Sequence, residues 1–328
     1  MANAYYTCNL APVGLAARAG YSPRWLGNHL EDAAAPARRQ ALSIHPMTCP
    51  YVTKLVAAAD VLLSHAPPED CLVVPGGCDA MRRMGDLIAA TYPGRVFVLS
   101  MPRSSVPGAI KTLAGDLQLL EEWLGARLPA GAARVPVQEE PPTLDYPSPP
   151  SQGGTFIVAG PLSDASLLRL VTTLGVGVAG LESCTSPDRW KRLAEETVLL
   201  PATDGESTAA PYEALAARLL EIGMCPRRST GERREYLARR LDEARPASVI
   251  YARQSFCDPG AYDALMVAEL AEKLSLPYLE IEVGFPFEAS GPLRTRVEAF
   301  LEAQLLDDDL LGDDLDDPGI DDLFFEEG

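Results

Sequence analysis

The chain has 328 residues, an apolar fraction of 47% and a formal net charge of −18, enough for about two domains with real cores. The charge is lopsided: residues 307–328 hold eleven acids and no Lys or Arg, so the rest carries −7. No basic stripe or stacking patch points to nucleic acid, and no apolar run approaches the ~20 residues that span a membrane.

The start, Met1-Ala-Asn-Ala-Tyr-Tyr, runs straight into the first expected strand without a signal peptide. A cytoplasmic, reducing location is expected. Residues 4–8 read as a short strand ending at Cys8, followed by a helix over 11–19 that Gly20 stops. Residues 21–47 read as irregular. After Cys49-Pro50, the spacing of Val52, Leu55, Val56 and Ala59 predicts a helix. Pro50 suits its first turn, where a missing N–H costs nothing. Then come a strand at 72–74, a helix from Asp79 to about Ala90, a strand at 96–100 and a helix over 108–127. Residues 129–154 hold seven prolines and end in two glycines, which reads as a linker. The alternation resumes: strand 156–159, helix 162–173, strand 176–181, helix 211–222. A capping box at Ser229 and Glu232 opens a helix to about Ala244. Strand 249–251, helix 260–274, strand 278–283 and helix 292–306 close the pattern. This predicts an α/β fold of two doubly wound parallel sheets, at 1–128 and 155–306. Residues 307–328 are expected to be a solvated acidic tail, with Phe324-Phe325 as a candidate docking motif.

The strongest signal is a repeat of cysteines. Six of the seven fall on a duplicated pattern, C-x40-CP-x27-CD then C-x40-CP-x30-CD. The pairs are Cys8 with Cys184, Cys49 with Cys225 and Cys78 with Cys257, offset by 176, 176 and 179 residues. Cys8, Cys78, Cys184 and Cys257 lie just past predicted strand ends, the edge where open α/β sheets bind ligands. Cys49 and Cys225 are expected to open helices, whose N-termini favour a thiolate. If the two domains face each other, all six thiols can converge on one cleft. Cys71 falls outside the pattern, inside a strand, and reads as core.

Soft thiolates select zinc, copper(I) or iron–sulfur clusters. Structural zinc shows cysteine pairs two to four residues apart, and this chain has none. Dispersed cysteines suit a cluster held between domains. Packed core thiols are the plain alternative. Asp79 and Asp258 read as helix N-caps. Arg82, Arg83 and, at a strand end, Arg103 are candidate anion contacts. His29, His45 and His65 lack ligand spacing. Of Glu280 and Glu282, only one is expected to face the cleft. Gly76-Gly77 is too short for a phosphate loop, and no nucleotide motif occurs.

At Cys49-Pro-Tyr-Val, Cys78-Asp-Ala-Met-Arg-Arg and Phe256-Cys257-Asp258-Pro259 the sequence resembles the 2-hydroxyacyl-CoA dehydratase and benzoyl-CoA reductase family. Asn9-Leu-Ala-Pro-Val-Gly and Leu293-Arg294-Thr295-Arg296-Val-Glu298-Ala-Phe300 also look like family segments. The resemblance implies two Rossmann-like, internally duplicated domains with an iron–sulfur cleft between them, and an ATP-hydrolysing iron–sulfur activator that delivers low-potential electrons. Its dehydratases hold a [4Fe-4S] cluster on three cysteines, which match Cys49, Cys78 and Cys257. Its double-cubane branch holds an [8Fe-9S] cluster on six, which look like Cys8, Cys49, Cys78, Cys184, Cys225 and Cys257. The reading favoured by the cysteine pattern is a double-cubane reductase acting on a small substrate. The alternatives are a [4Fe-4S] dehydratase subunit acting on an acyl-CoA, a non-catalytic electron carrier, and a member whose thiols only pack. A homodimer is expected by analogy. Unlike the family, the chain starts almost at its first strand and joins its domains through a proline-rich segment, and no residue is singled out as a CoA contact.

Overall fold

The structure is a computed structural model that describes residues 2–8, 10–30, 44–128, 153–162, 165–185, 210–222 and 225–311, with side chains to Gln304. Most of the predicted linker, and the acidic tail from residue 312 with Phe324-Phe325, lie outside the described residues. In the first half, β1 (Asn3–Tyr6), β2 (Ser22–Trp25), β3 (Cys71–Gly76) and β4 (Val96–Ser100) form one sheet in the order β2-β1-β3-β4. In the second, β5 (Thr155–Ala159), β6 (Val178–Ser183), β7 (Ser248–Gln254) and β8 (Tyr278–Val283) form another, ordered β6-β5-β7-β8. Every pairing in both sheets is parallel. The two orders are the same permutation, so the duplication is a property of the fold as well as of the cysteines.

Both sheets are covered on both faces, which is why their central strands read as continuous apolar runs rather than alternating ones. In β3, Cys71 and Val73 point into one core while Leu72 and Val74 point into the other. Cys71 is fully buried, as its place in a strand predicted. The first core is closed by α1 (Val13–Arg18) and α4 (Pro107–Arg127), the other by α2 (Pro50–His65) and α3 (Asp79–Thr91). On α3 the buried residues Met81, Met84, Gly85 and Ile88 recur at helical spacing. Gly85 is needed for closeness: a Cβ there would stand 2.5 Å from Val98 Cγ2. In the second half, α5 (Ser166–Thr173) and α9 (Gly291–Leu311) cover one face, with α7 (Thr230–Ala244) and α8 (Asp258–Lys273) on the other.

The halves are interleaved. Helix α6 (Ala210–Ile222) follows β6 in the chain. Yet its Tyr212, Leu215, Ala216, Leu219 and Leu220 are buried in the first core, against Leu113, Leu117, Leu120 and Leu124 of α4. Glu121 ties the three helices of this face together, accepting from Arg18 of α1 and from the Tyr212 hydroxyl. In return, Phe285, just past β8, packs edge-on against Tyr51 of α2, centroids 5.0 Å apart.

The one strand that escaped the sequence reading is β2. Residues 21–47 were expected to be irregular, but Ser22–Trp25 pairs with β1 at the sheet edge. It is four residues long and contains Pro23, and proline in a strand is tolerated only where no neighbour needs its N–H.

Candidate functional site

Three cysteines sit at one kind of position. Cys49 is the N-cap of α2, Cys78 of α3 and Cys257 of α8. Asp79 and Asp258, expected to be the caps, are the first helical residues instead; the thiols hold the cap. The physical reason is visible in the donors. Gly260 N–H donates to Cys257 Sγ at 3.4 Å, and the first-turn N–H groups of Tyr51 and Val52 near Cys49, and of Met81 near Cys78, favour negative charge on those sulfurs without closing a cap hydrogen bond. The carboxylates are left at the cleft mouth, exposed to solvent, where Asp79 faces Arg83 across 3.7 Å.

The three thiols line a cleft of about 650 Å³ between the two sheets, the size of a small-molecule site. The first half contributes Cys49, Gly76-Gly77-Cys78-Asp79 and Arg82, with Met101 and Arg103 from the loop after β4. The second contributes the turn 226–228, Phe256-Cys257-Asp258-Pro259, and Tyr262, Asp263 and Met266 of α8. In both sheets the cleft opens at the C-terminal ends of the third-ranked strands, β3 and β7. This is the edge at which doubly wound folds bind ligands. Phe256 enters α8 with φ +56°, a left-handed conformation that costs a bulky residue on the order of 1–3 kcal/mol and clusters at functional sites.

Cys8, Cys184 and Cys225 do not line this cleft. Cys8 and Cys225 pack against the first core. All the same they lie close to the other thiols: Cys225 acts electrostatically on Cys8, Cys78 and Cys257, and Cys8 and Cys184 both act on Tyr51, whose hydroxyl donates to the Thr7 carbonyl at 2.6 Å. The repeat is not matched throughout. Cys78 and Cys257 follow equivalent strands, but Cys8 follows β1, the first strand of its sheet in chain order, and Cys184 follows β6, the second. Nor does Cys225 open a helix. Helix α7 starts at Thr230 after the N-cap Ser229, and residues 226–228 make a turn in between.

Burial, not the helix terminus, sets the thiol chemistry. Desolvation pushes Cys78 up to about 11 and Cys8 and Cys257 up to about 12, and it raises Cys49 as well. The first-turn N–H groups pull the other way and lose. The expected thiolate at Cys49 does not form in the metal-free chain: Cys8, Cys49, Cys78 and Cys257 are protonated at neutral pH, and any metal bound there displaces protons.

Among the described residues, no three His, Cys, Asp or Glu side chains converge closely enough for a single metal ion. A single zinc needs its thiolates all about 2.3 Å from one point, whereas a polynuclear cluster spreads its ligands over separate irons. Three soft donors distributed around a roomy cleft fit the second kind of group and not the first.

Sequence reasoning missed the polar frame of the cleft. Arg233 makes a bidentate buried pair with Asp263, at 3.1 Å on both arms, and Tyr251 donates to the same carboxylate at 3.0 Å. Glu232, expected to complete a capping box, accepts instead from Ser105 N and Oγ at 2.9 and 2.7 Å and from Arg228 at 2.6 Å, joining the two halves. Burial opposes its ionisation, but these donors hold its carboxyl below the usual range. Arg103 donates to the Arg227 carbonyl at 3.2 Å; Arg103 and Arg82 line the cleft, while Arg83 lies outside it, paired with Asp79 and Asp86. Neither Glu280 nor Glu282 faces the cleft. Residues two apart share one face of a strand, and both bind Arg253, each at 2.7 Å.

Among the described residues no helix is long and apolar enough to cross a membrane. Residues 155–303 match the family model described as 2-hydroxyglutaryl-CoA dehydratase, D-component. The chain is also similar to "Putative dehydratase subunit YjiM" of Escherichia coli (strain K12), 27% identical over 209 residues that cover 62% of this chain and 50% of that protein. The chain thus spans about half the length of the curated relative it matches. Residues 155–303, which hold the second parallel sheet and Cys257 of the cleft, are thus similar to the 2-hydroxyglutaryl-CoA dehydratase D-component family.

Proposed function

We propose that this protein is an iron–sulfur subunit of the 2-hydroxyacyl-CoA dehydratase type, a lyase whose [4Fe-4S] cluster is held by Cys49, Cys78 and Cys257. The observation that carries the reading is the convergence of these three N-cap thiols, from both halves, on one cleft. When bound, such a cluster supplies one-electron transfer, at a potential tuned by hydrogen bonds to sulfur and by burial. The chain's own part is to hold those levers. The N–H groups of Tyr51, Val52, Met81 and Gly260 favour negative charge on the ligand sulfurs. Met101 and Met266, both nearly buried, line the walls with apolar surface. An ATP-hydrolysing activator as electron donor, an acyl-CoA as substrate and a homodimer as the working unit complete the proposal.

A second reading, the double-cubane reductase using all six cysteines, has one observation in its favour: Cys225 is within electrostatic reach of Cys8, Cys78 and Cys257. Iron and acid-labile sulfide per chain, measured after anaerobic purification beside the six single Cys→Ser variants, separate the two. The first reading expects about four irons, counted from the cluster formula, sensitive only at Cys49, Cys78 and Cys257. About eight irons, lost in part from all six variants, would replace it with the second. No iron under those conditions would sink both.

A further inference from the structure

The turn after Cys225 brings two arginines to the cleft, and both are sequestered: Arg227 is 5% and Arg228 2% exposed. Each is only half satisfied. Arg227 donates Nη1 to the Met101 and Pro102 carbonyls, but its Nε and Nη2 have no acceptor among the described residues. Arg228 donates Nη2 to Ser105 and Glu232, and its Nε and Nη1 likewise have none. Buried guanidinium N–H groups without an acceptor are costly, and planar forks of this kind pair best with carboxylate or phosphate oxygens.

The charge balance points the same way. Glu232 offsets Arg228. Among the described residues Arg227 donates only to neutral carbonyls, so no carboxylate there pairs with its charge. Arg82 and Arg103 add positive charge to the same cleft, and with Arg227 they outnumber the carboxylates of Asp79 and Asp258. The backbone is fitted to the site: a Cβ on Gly77 would stand 2.7 Å from Arg227 Cδ and 3.0 Å from its Nε. A side chain at residue 77 would move the guanidinium.

We propose that Arg227 and Arg228 form an oxyanion subsite, which takes a carboxylate or phosphate group of the small molecule bound in the cleft. This deepens the function proposed above and rests on it for the identity of that molecule as substrate. The anion site itself needs no iron, so the two ideas fail separately.

The test is calorimetric titration of the full chain, iron-free and iron-loaded, with inorganic phosphate and with acetate at constant ionic strength, chloride being the reference. Saturable binding of one of them, in both forms, is expected. Arg227→Lys and Arg228→Lys should each weaken it by about tenfold or more, and Arg83→Ala, outside the cleft, should not. Tighter phosphate binding identifies a phosphorylated ligand, tighter acetate binding a carboxylate. Should the lysine variants not fold, alkylation of Cys78 in the wild-type iron-free chain locates the anion, because Cys78 adjoins Gly77. Saturating anion should slow that reaction. Binding no stronger than chloride, unchanged binding in both lysine variants, or an unprotected Cys78 would overturn the proposal. So would loss of binding on iron loading, since the guanidinium groups would then face the cluster.

Discussion

The two halves share a strand order and differ in what they hang on it. In the first, Cys49 caps α2 directly and that helix runs straight into β3. In the second, Cys225 is followed by a turn before α7, and the turn carries Arg227 and Arg228 into the cleft. The first half thus supplies two cleft thiols, and the second supplies one thiol and three of the five cleft-lining arginines. On the functions proposed above, the two similar frames around a shared cleft divide the labour between metal-ligand chemistry and anion recognition. The repeat in sequence overstates the symmetry: the Cys78–Cys257 pair is equivalent in the fold and the Cys8–Cys184 pair is not.

The sharpest test of that asymmetry is iron retention. Cys78→Ser and Cys257→Ser, at equivalent positions, should each remove most of the bound iron. Cys8→Ser and Cys184→Ser should leave it. Equal loss from all four would restore the symmetry and the six-ligand reading.

Next in size is the buried Arg233–Asp263 pair, which among the described residues has no counterpart as deeply buried in the first half. Asp263→Ala leaves Arg233 charged and buried, and should cost about 3–5 kcal/mol in denaturant unfolding. An effect under about 1 kcal/mol would mean that solvent already reaches the pair. Leu219→Ala, a residue of the second half in the core of the first, should cost about 2–5 kcal/mol and should shift the unfolding of both halves together. A separate early transition confined to one half would show that the interleaving is loose.

Glu232→Gln should cost about 1–3 kcal/mol, because it weakens the bridge from Arg228 and Ser105 across the halves. The pH profile has a definite sign. The folded carboxyl titrates below its ordinary 4.5, so its contribution is present above about pH 4.5 and lost as pH falls through the folded value. Melting temperature against pH should show this acid-side loss in the wild type and less of it in the Gln variant. The core thiol Cys71 acts in the opposite direction. Burial pushes it up from 9.0 to about 12, so its contribution is full below pH 9 and lost as pH rises toward 12. Cys71→Ala should flatten that alkaline limb, and an unchanged limb would rule the thiol out as its source.

Much of this was legible in the sequence. The long helices and central strands announce themselves by period and by apolar runs, because burial on both faces leaves little room for other residues. The positions of Cys49, Cys78 and Cys257 beside strand ends and helix starts were readable for the same reason. What could not be read were relations between distant segments. Nothing local to Ala210–Ile222 says which sheet it covers, since its apolar face fits either. Glu232 satisfies a capping-box pattern, yet one of its partners, Ser105, lies 127 residues away. The short edge strand at Ser22–Trp25 offers too few residues to show a period. The thiols misled by a contest of two opposing effects, in which desolvation outweighs the helix N-terminus, and only burial in three dimensions decides it.

The lodging of α6 in the first core has a consequence for synthesis. When residue 128 leaves the ribosome, α4 has no partner for the apolar face that Leu219 and its neighbours will cover. That partner ends at residue 222, on the order of ten seconds later at about 5–20 residues per second. During that interval the nascent half exposes a greasy stripe, and this window is where a chaperone would have most to protect.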